Sequence, residues 1–461
     1  MKKSVFTTLL LCFLSASLLS AAPMPRLTVV IALDGLRQDN MEYMRHYWSP
    51  GGLRTLQEEA QSAQLTFDFN LNGEEILPTI LCGSNPALHG ISYYHYFDKN
   101  TREVHSLFED PKEAGIGTSD RLSPQNILVP TLSDYFRLRY NWFSRIYAVG
   151  LQPEKTILLA GHSANACCWL DTTSHQWVTT TYYPAGLPAV ADEDNQDEHL
   201  PATYQMPMVN SLVVDMALRL QQAHQLGLDD TPDLLMMHLS ALAPTSTSDC
   251  ILSTEDEDRY LAINQYIGFL FDQLNQRVGK EHLQVLLIGL PQYGQSAEQG
   301  NRLGMRIRPF NLTRATALTS VYLMALYGNE RWIDGIAGNS IFLNRSLIEE
   351  KELNLTTIQQ QVADFLMDFE GIQAAYTRRE ALLQPEIIAA LAKKHIGDIV
   401  IQTQPNRQLM ANETTPIDHI VDTNVQVPVY WLNHSQSPTP SDTLLPRLLP
   451  ATQLLPLILN P

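Results

Sequence analysis

Residues 27–39 read LTVVIALDGLRQD. From Leu27 to Leu33 the run is apolar except for Thr28, and it is rich in β-branched residues. Near-continuous hydrophobicity of that length predicts a strand buried on both faces, as in a parallel sheet. Similar runs recur at wide spacing: Arg145–Leu151 (RIYAVGL), Leu234–Leu239 (LLMMHL), Leu283–Leu290 (LQVLLIGL) and Val427–Leu432 (VPVYWL). Helical patterns lie between them at Gly52–Ala60, Pro130–Arg139, Met208–Gln225, Asp258–Val278 and Thr356–Phe369. Strands alternating with helices predict an α/β domain whose central, largely parallel sheet carries helices on both faces. Ligands of such sheets bind beyond the carboxyl ends of the strands. Asp34 sits where the first strand ends, so it holds a functional address. The plainer reading is an Asp that caps the following helix beside Arg37.

The chain has 461 residues, 44% hydrophobic and 17% charged, with a net charge of −18. That composition is globular, and the sign of the charge argues against nucleic acid or an anionic membrane as partner. Residues 1–22 combine Lys2 and Lys3, an apolar run and small residues at Ser20–Ala22, the pattern of a secretory signal peptide. Residues 23–461 then form one domain with insertions, secreted or periplasmic, and no later run predicts a transmembrane segment. Four cysteines follow the signal, Cys82, Cys167, Cys168 and Cys250. None forms a C-x-x-C pair, so a zinc knot is not expected, while one disulfide or buried free thiols both remain open. Ala189–Leu200 (AVADEDNQDEHL) reads as a solvated acidic loop, and Ser253–Arg259 as the acidic start of a helix. Ser435–Pro461 reads as irregular chain over the core.

Several stretches together are similar to a known family: ALDGLRQD, GSNPALHGI at residues 83–91, LLAGHSANACCWLD at 158–171 with TTTYY at 179–183, DLLMMHLS at 233–240 and VPVYWLN at 427–433. They resemble the alkaline phosphatase superfamily, in particular single-domain secreted bacterial phosphatases related to nucleotide pyrophosphatase/phosphodiesterases. The resemblance implies an alkaline-phosphatase-like fold and a two-zinc site. There, metals about 4 Å apart clamp the attacking and leaving oxygens. A threonine at a helix N-terminus attacks phosphorus, three Asp and three His hold the metals, and Asn, Lys and Arg hold the phosphate.

Carried over residue by residue, most of that set is missing. The first metal Asp falls on Asp34 and is kept. The nucleophile position falls on Gly73, the Asn on Tyr94, and the Lys and Arg on Gln152 and Glu154. The next Asp and His fall on Ala243 and Thr247, the adjacent Asp-His on Leu290 and Pro291, and the last His near Thr415–Pro416. Thr79, the nearest hydroxyl, is six residues late for the nucleophile and lies inside the helix. His89, His162 and His238 read as hydrogen-bonded core residues, and His282 lies at the wrong end of its strand. The implied reading is a phosphatase relative without hydrolytic activity or cofactor, with no catalytic residue beyond a vestigial Asp34. It would be retained to bind or scaffold an unidentified protein or ligand. The alternative is an active zinc-dependent phosphomonoesterase or phosphodiesterase with relocated ligands such as Asp34, Asp249, Asp418 and His419.

Overall fold

The computed structural model describes residues 25–69, 71, 73–171, 173–196, 208–241, 254–290, 301, 304, 306–392, 394–411, 427–434 and 445–459. Its centre is a ten-stranded sheet. In chain order the strands are β1 (Leu27–Asp34), β2 (Gln61–Thr66), β3 (Gly115–Ile116), β4 (Ile146–Gly150), β5 (Ala166–Asp171), β6 (Gln176–Thr180), β7 (Asp233–Ser240), β8 (Leu283–Leu290), β9 (Val427–Asn433) and β10 (Leu448–Pro450). Across the sheet they run β10-β2-β9-β8-β1-β7-β4-β5-β6-β3. The block β8-β1-β7-β4-β5 is parallel, and β9 and β6 flank it antiparallel. The sequence reading of a largely parallel α/β sheet holds.

The buried runs behave as their length demands. Every residue of β1, β7 and β8 is buried. Side chains alternate between the faces. Val30, Ala32, Ala148, Met236 and Ile288 join one core cluster, and Val29, Ile31, Val149, Met237 and Leu287 the other. Helices α2 (Ile76–Cys82) and α4 (Pro153–Ala160) contribute to the first cluster. Helices α5 (Val209–Ala223) and α6 (Thr254–Val278) contribute to the second. By the same parity Asp34 and His238 face α2 and α4. A smaller antiparallel sheet of Ile333–Ala337, Ser340–Leu343, Ile399–Thr403 and Ile372–Thr377 lies in sequence between β8 and β9 and has its own core around Trp332 and Leu366.

Two local expectations are corrected. Ala189–Gln196 is a helix, not a solvated loop. Asn195 exchanges hydrogen bonds with the Trp177 backbone, and Arg219 pairs with Glu193 and Asp194, so the acidic string is tied down. Near the C-terminus, Ala451–Leu459 is helical rather than irregular, its apolar side buried at Leu454, Leu455 and Ile458. Cys82, Cys167 and Cys168 are buried free thiols, and burial pushes Cys82 and Cys168 up to about 12. Cys250 lies outside the described residues. Among those residues no helix is long and apolar enough to cross a membrane.

The AGHSANA motif and the later Tyr-Tyr pair belong to one structural joint. Tyr183 donates to the Gly161 carbonyl at 3.2 Å and Tyr182 to the His162 carbonyl at 3.3 Å. The His162 ring lies between two acceptors, the Asp134 carboxylate at 2.7 Å and the Ile127 carbonyl at 3.1 Å. Only a doubly protonated imidazolium satisfies both. Burial lowers its pKa, but the Asp134 hydrogen bond and charge outweigh that and raise it overall. A raised folded-state pKa contributes stability that is full below the unfolded value and is lost as pH rises through the folded one. We expect the thermal midpoint of the wild type to fall between pH 6 and pH 9 by more than that of His162→Gln. Parallel curves for the two proteins would refute the assignment.

Candidate functional site

The site forms where β1, β7 and β4 end together. Asp34 closes β1, opposite Ser240 of β7 and Leu290 of β8 in the strand register. Its side chain is 3% exposed. The chain leaves β4 at Gly150 and enters α4 with Pro153 in the first turn. Gly150 is needed here, because a Cβ would lie 2.4 Å from Thr156 Oγ1 and 2.8 Å from His238 Cβ. This close approach brings α4 onto the same face as Asp34.

Lys155 then reaches Asp34. Its Nζ lies 2.6 Å from both carboxylate oxygens. His238 completes the group, with Nε2 2.9 Å from Asp34 Oδ2 and Nδ1 facing the Gln152 amide N–H at 3.4 Å. Those partners fix the tautomer: Nε2–H donates and Nδ1 accepts. Burial lowers the His238 pKa against the pull of Asp34, so the ring is neutral. Burial alone would raise Asp34, but the Lys155 charge and the His238 contacts outweigh it and hold the carboxyl well below the usual range. The result is one carboxylate, one ammonium and one neutral imidazole. A lysine in the first turn of a helix runs against the helix dipole, a disadvantage of about 0.3–1 kcal/mol. Asp34 supplies the compensating partner.

The position that the resemblance assigns to a nucleophile is Gly73. Gly73 has φ +112°, in the region that favours glycine, and precedes α2, which begins at Ile76 after Glu75. The Glu74 carboxylate accepts the Tyr94 backbone N–H, and burial raises the Glu74 pKa. The Tyr94 ring is buried and meets Phe108 edge-on at 5.6 Å. Its hydroxyl finds no hydrogen-bond partner among the described residues, and burial, reinforced by Glu74 and Asp34, raises its pKa well above normal. Thr79 lies inside α2, fully buried, 3.1 Å from His89 Nε2. His89 Nδ1 accepts the Ile91 N–H, and burial lowers the ring to about 3, so it is a neutral core histidine.

The sequence reading placed Asp34 correctly at the strand end. As a helix cap it is corrected: Arg37 occupies the N-cap of the following helix (Gln38–Met44), without a side-chain cap bond, and Arg37 pairs with Asp39. Lys155 was missed. It stands one residue after Glu154, and its position in a helix first turn was the only local signal. His238 was read as core, and it is, but it also touches Asp34. Asp249, Asp418, His419, Ala243, Thr247, Pro291 and Thr415–Pro416 lie outside the described residues. The described donors do not fit a two-zinc centre. Asp34 is already neutralised, His238 Nε2 carries its proton toward Asp34, and no group of three or more His, Cys, Asp or Glu among the described residues could hold a metal ion.

Comparison with known proteins fits this architecture. The model of the type I phosphodiesterase / nucleotide pyrophosphatase family matches residues 28–428. A protein named calcium-transporting ATPase from Myroides odoratus is 24% identical over 477 residues, covering 87% of this chain and 86% of the relative. Alkaline phosphatase PafA from Elizabethkingia meningoseptica is 23% identical over 416 residues, covering 76% and 74%. A solved structure of PafA superposes with a TM-score of 0.80 at 20% identity, covering 94% of this chain and 95% of that one.

The ion pair gives a direct test. Removing one member of a buried pair typically destabilises by about 3–5 kcal/mol, whereas replacing both by apolar residues is far milder. Lys155→Met should therefore lower unfolding stability strongly, and Lys155→Met/Asp34→Leu should recover most of the loss. Additive single effects in denaturant titrations would remove the pair from the account.

Proposed function

The chain belongs to the type I phosphodiesterase / nucleotide pyrophosphatase family of the alkaline phosphatase superfamily, and we propose that it is a member that has exchanged metal-dependent hydrolysis for a binding or scaffolding role outside the cytoplasm. The observation that carries this reading is the Lys155–Asp34 ion pair at 2.6 Å. An ammonium fixed to the chain neutralises the carboxylate that the resemblance assigns to a metal. A cation seeking Asp34 must displace that charge and gather further ligands, so its affinity should be low.

Three supports surround it. Gly73 offers no hydroxyl where the resemblance expects a nucleophile. Glu74 and Glu154 put carboxyl groups where an anionic phosphate would approach. Tyr94 puts a buried ring where a hydrogen-bonding amide is expected. Each would weaken phosphoryl transfer alone, and together they leave no described hydroxyl in the attacking role, while the Lys155 ammonium is committed to Asp34.

The competing reading is a working hydrolase with relocated ligands such as Asp34, Asp249, Asp418 and His419. The alkaline phosphatase name of a relative favours it. Zinc content by elemental mass spectrometry, on protein purified without chelators, separates the two. We expect far less than one zinc per chain, and turnover of p-nitrophenyl phosphate and bis-p-nitrophenyl phosphate no higher than for Asp34→Ala. Stoichiometric zinc with turnover lost on chelation would overturn the proposal. Gly73→Thr should not restore hydrolysis. It should lower stability by about 1–3 kcal/mol, because a β-branched residue is strained at this φ.

A further inference from the structure

The opposite end of the sheet carries a cavity of about 690 Å³ between α3 (Leu132–Arg139), the end of α4 and the loop at 127–130. It lies at the amino ends of the parallel strands. The chain passes from α3 into β4 at Ile146, and α4 ends at Ala160 before β5. β1 is eight residues long, so this end is roughly 23 Å from Asp34. The cavity is therefore separate from the site described above.

Its polar groups are already engaged. Asp134 accepts from His162 and Ser163, and Arg137 donates to the Ser163 and Ser144 carbonyls and to Asn165. What remains for a guest is apolar wall: Leu128, Val129, Leu138, Trp142 and Pro184. A charged or strongly polar ligand would lose its hydration here without matching hydrogen bonds.

The rim has a further feature. Leu128, Leu138, Trp142 and Phe143 are 64%, 54%, 61% and 76% exposed. Trp142 has φ +68° and follows Asn141 at φ +51°, an unusual backbone for a bulky residue. Arg137 braces it by donating to the Trp142 carbonyl and lying 5.9 Å from the indole. The turn thus presents two aromatic rings outward beside an open apolar cavity. Arg145, two residues after Phe143, ties this turn to the base of the sheet, its backbone N–H donating to Asp233, whose own N–H donates to the Arg26 carbonyl just before β1. Aromatic residues at an apolar–water boundary are characteristic of lipid contact.

We propose that this cavity is a binding site for an acyl chain, with Trp142 and Phe143 as its lip. The cavity takes the hydrocarbon chain alone and leaves the headgroup in water at the lip, whether that chain belongs to a free fatty acid or to a bilayer lipid.

Trp142 provides its own probe, because the other five of the chain's six tryptophans (Trp48, Trp169, Trp177, Trp332 and Trp431) are buried. The full chain is titrated with 9,10-dibromostearate and, separately, with vesicles of dibromo-phosphatidylcholine, following tryptophan quenching. Saturable quenching that disappears in Trp142→Phe is expected. Leu138→Glu, an exposed position that should not disturb folding, should weaken binding at least tenfold. Quenching by the free acid alone assigns a monomeric ligand, and quenching by vesicles assigns the bilayer; either supports the site. Absence of saturable quenching with both probes overturns the proposal. So does unchanged affinity in Leu138→Glu.

Discussion

A carboxylate at the end of a doubly buried strand cannot stand without a counter-charge. Asp34 is such a group, held by β1 between β7 and β8 with almost no exposure. Desolvating an isolated carboxylate costs several kcal/mol, so something positive must be brought to it. A metal does this only with several ligands and only while bound. Lys155 does it from within the chain, and its two short contacts also satisfy both carboxylate oxygens. The Asp34 charge is then balanced by a group of the chain itself. Much around it follows: Gly150 lets α4 approach, and neutral His238 adds a hydrogen bond without a competing charge.

The positions that the family resemblance assigns to the nucleophile and to the phosphate-binding amide are coupled in this chain. Gly73 adopts a φ that glycine favours, Glu74 follows it, and the Glu74 carboxylate holds the Tyr94 backbone. Thus two positions that the family resemblance treats as separate, nucleophile and phosphate-binding amide, are now tied to each other. The Tyr94 ring joins the core beside Phe108, so its place cannot be returned to a small amide without opening a cavity. Introducing one such group alone would leave the others arranged against it.

How much of this was legible in the sequence depends on the range of the interaction. β1, β7, β8 and β9 were readable because uninterrupted apolar runs report burial on both faces, and their ends came out within a residue or so. The position of Asp34 followed from the same run. Its role did not, because Lys155 lies 121 residues away and His238 204. In sequence Lys155 is a cation beside a glutamate at a helix start, which by itself suggests a solvated side chain. His238 was concealed differently: the apolar neighbours that mark its strand also make it read as simple core. Ala189–Gln196 failed as a loop because a run of acids looks solvated until Arg219 and the Trp177 backbone are placed beside it.

The two ends of the sheet now differ in what they can offer a partner. At the carboxyl ends, charge meets charge inside the chain, and a phosphate would face Glu74 and Glu154. Binding there would have to break an internal pair before making a new contact. At the amino ends, the polar groups are likewise paired, but they surround unfilled apolar volume. Hydrocarbon entering that volume gains burial at about 25 cal/mol per Å² without disturbing any existing hydrogen bond. A net charge of −18 opposes an anionic substrate but places no comparable barrier before an uncharged chain. On physical grounds, an uncharged apolar ligand is therefore more readily accommodated by the end remote from Asp34 than by the end where the superfamily's chemistry is expected.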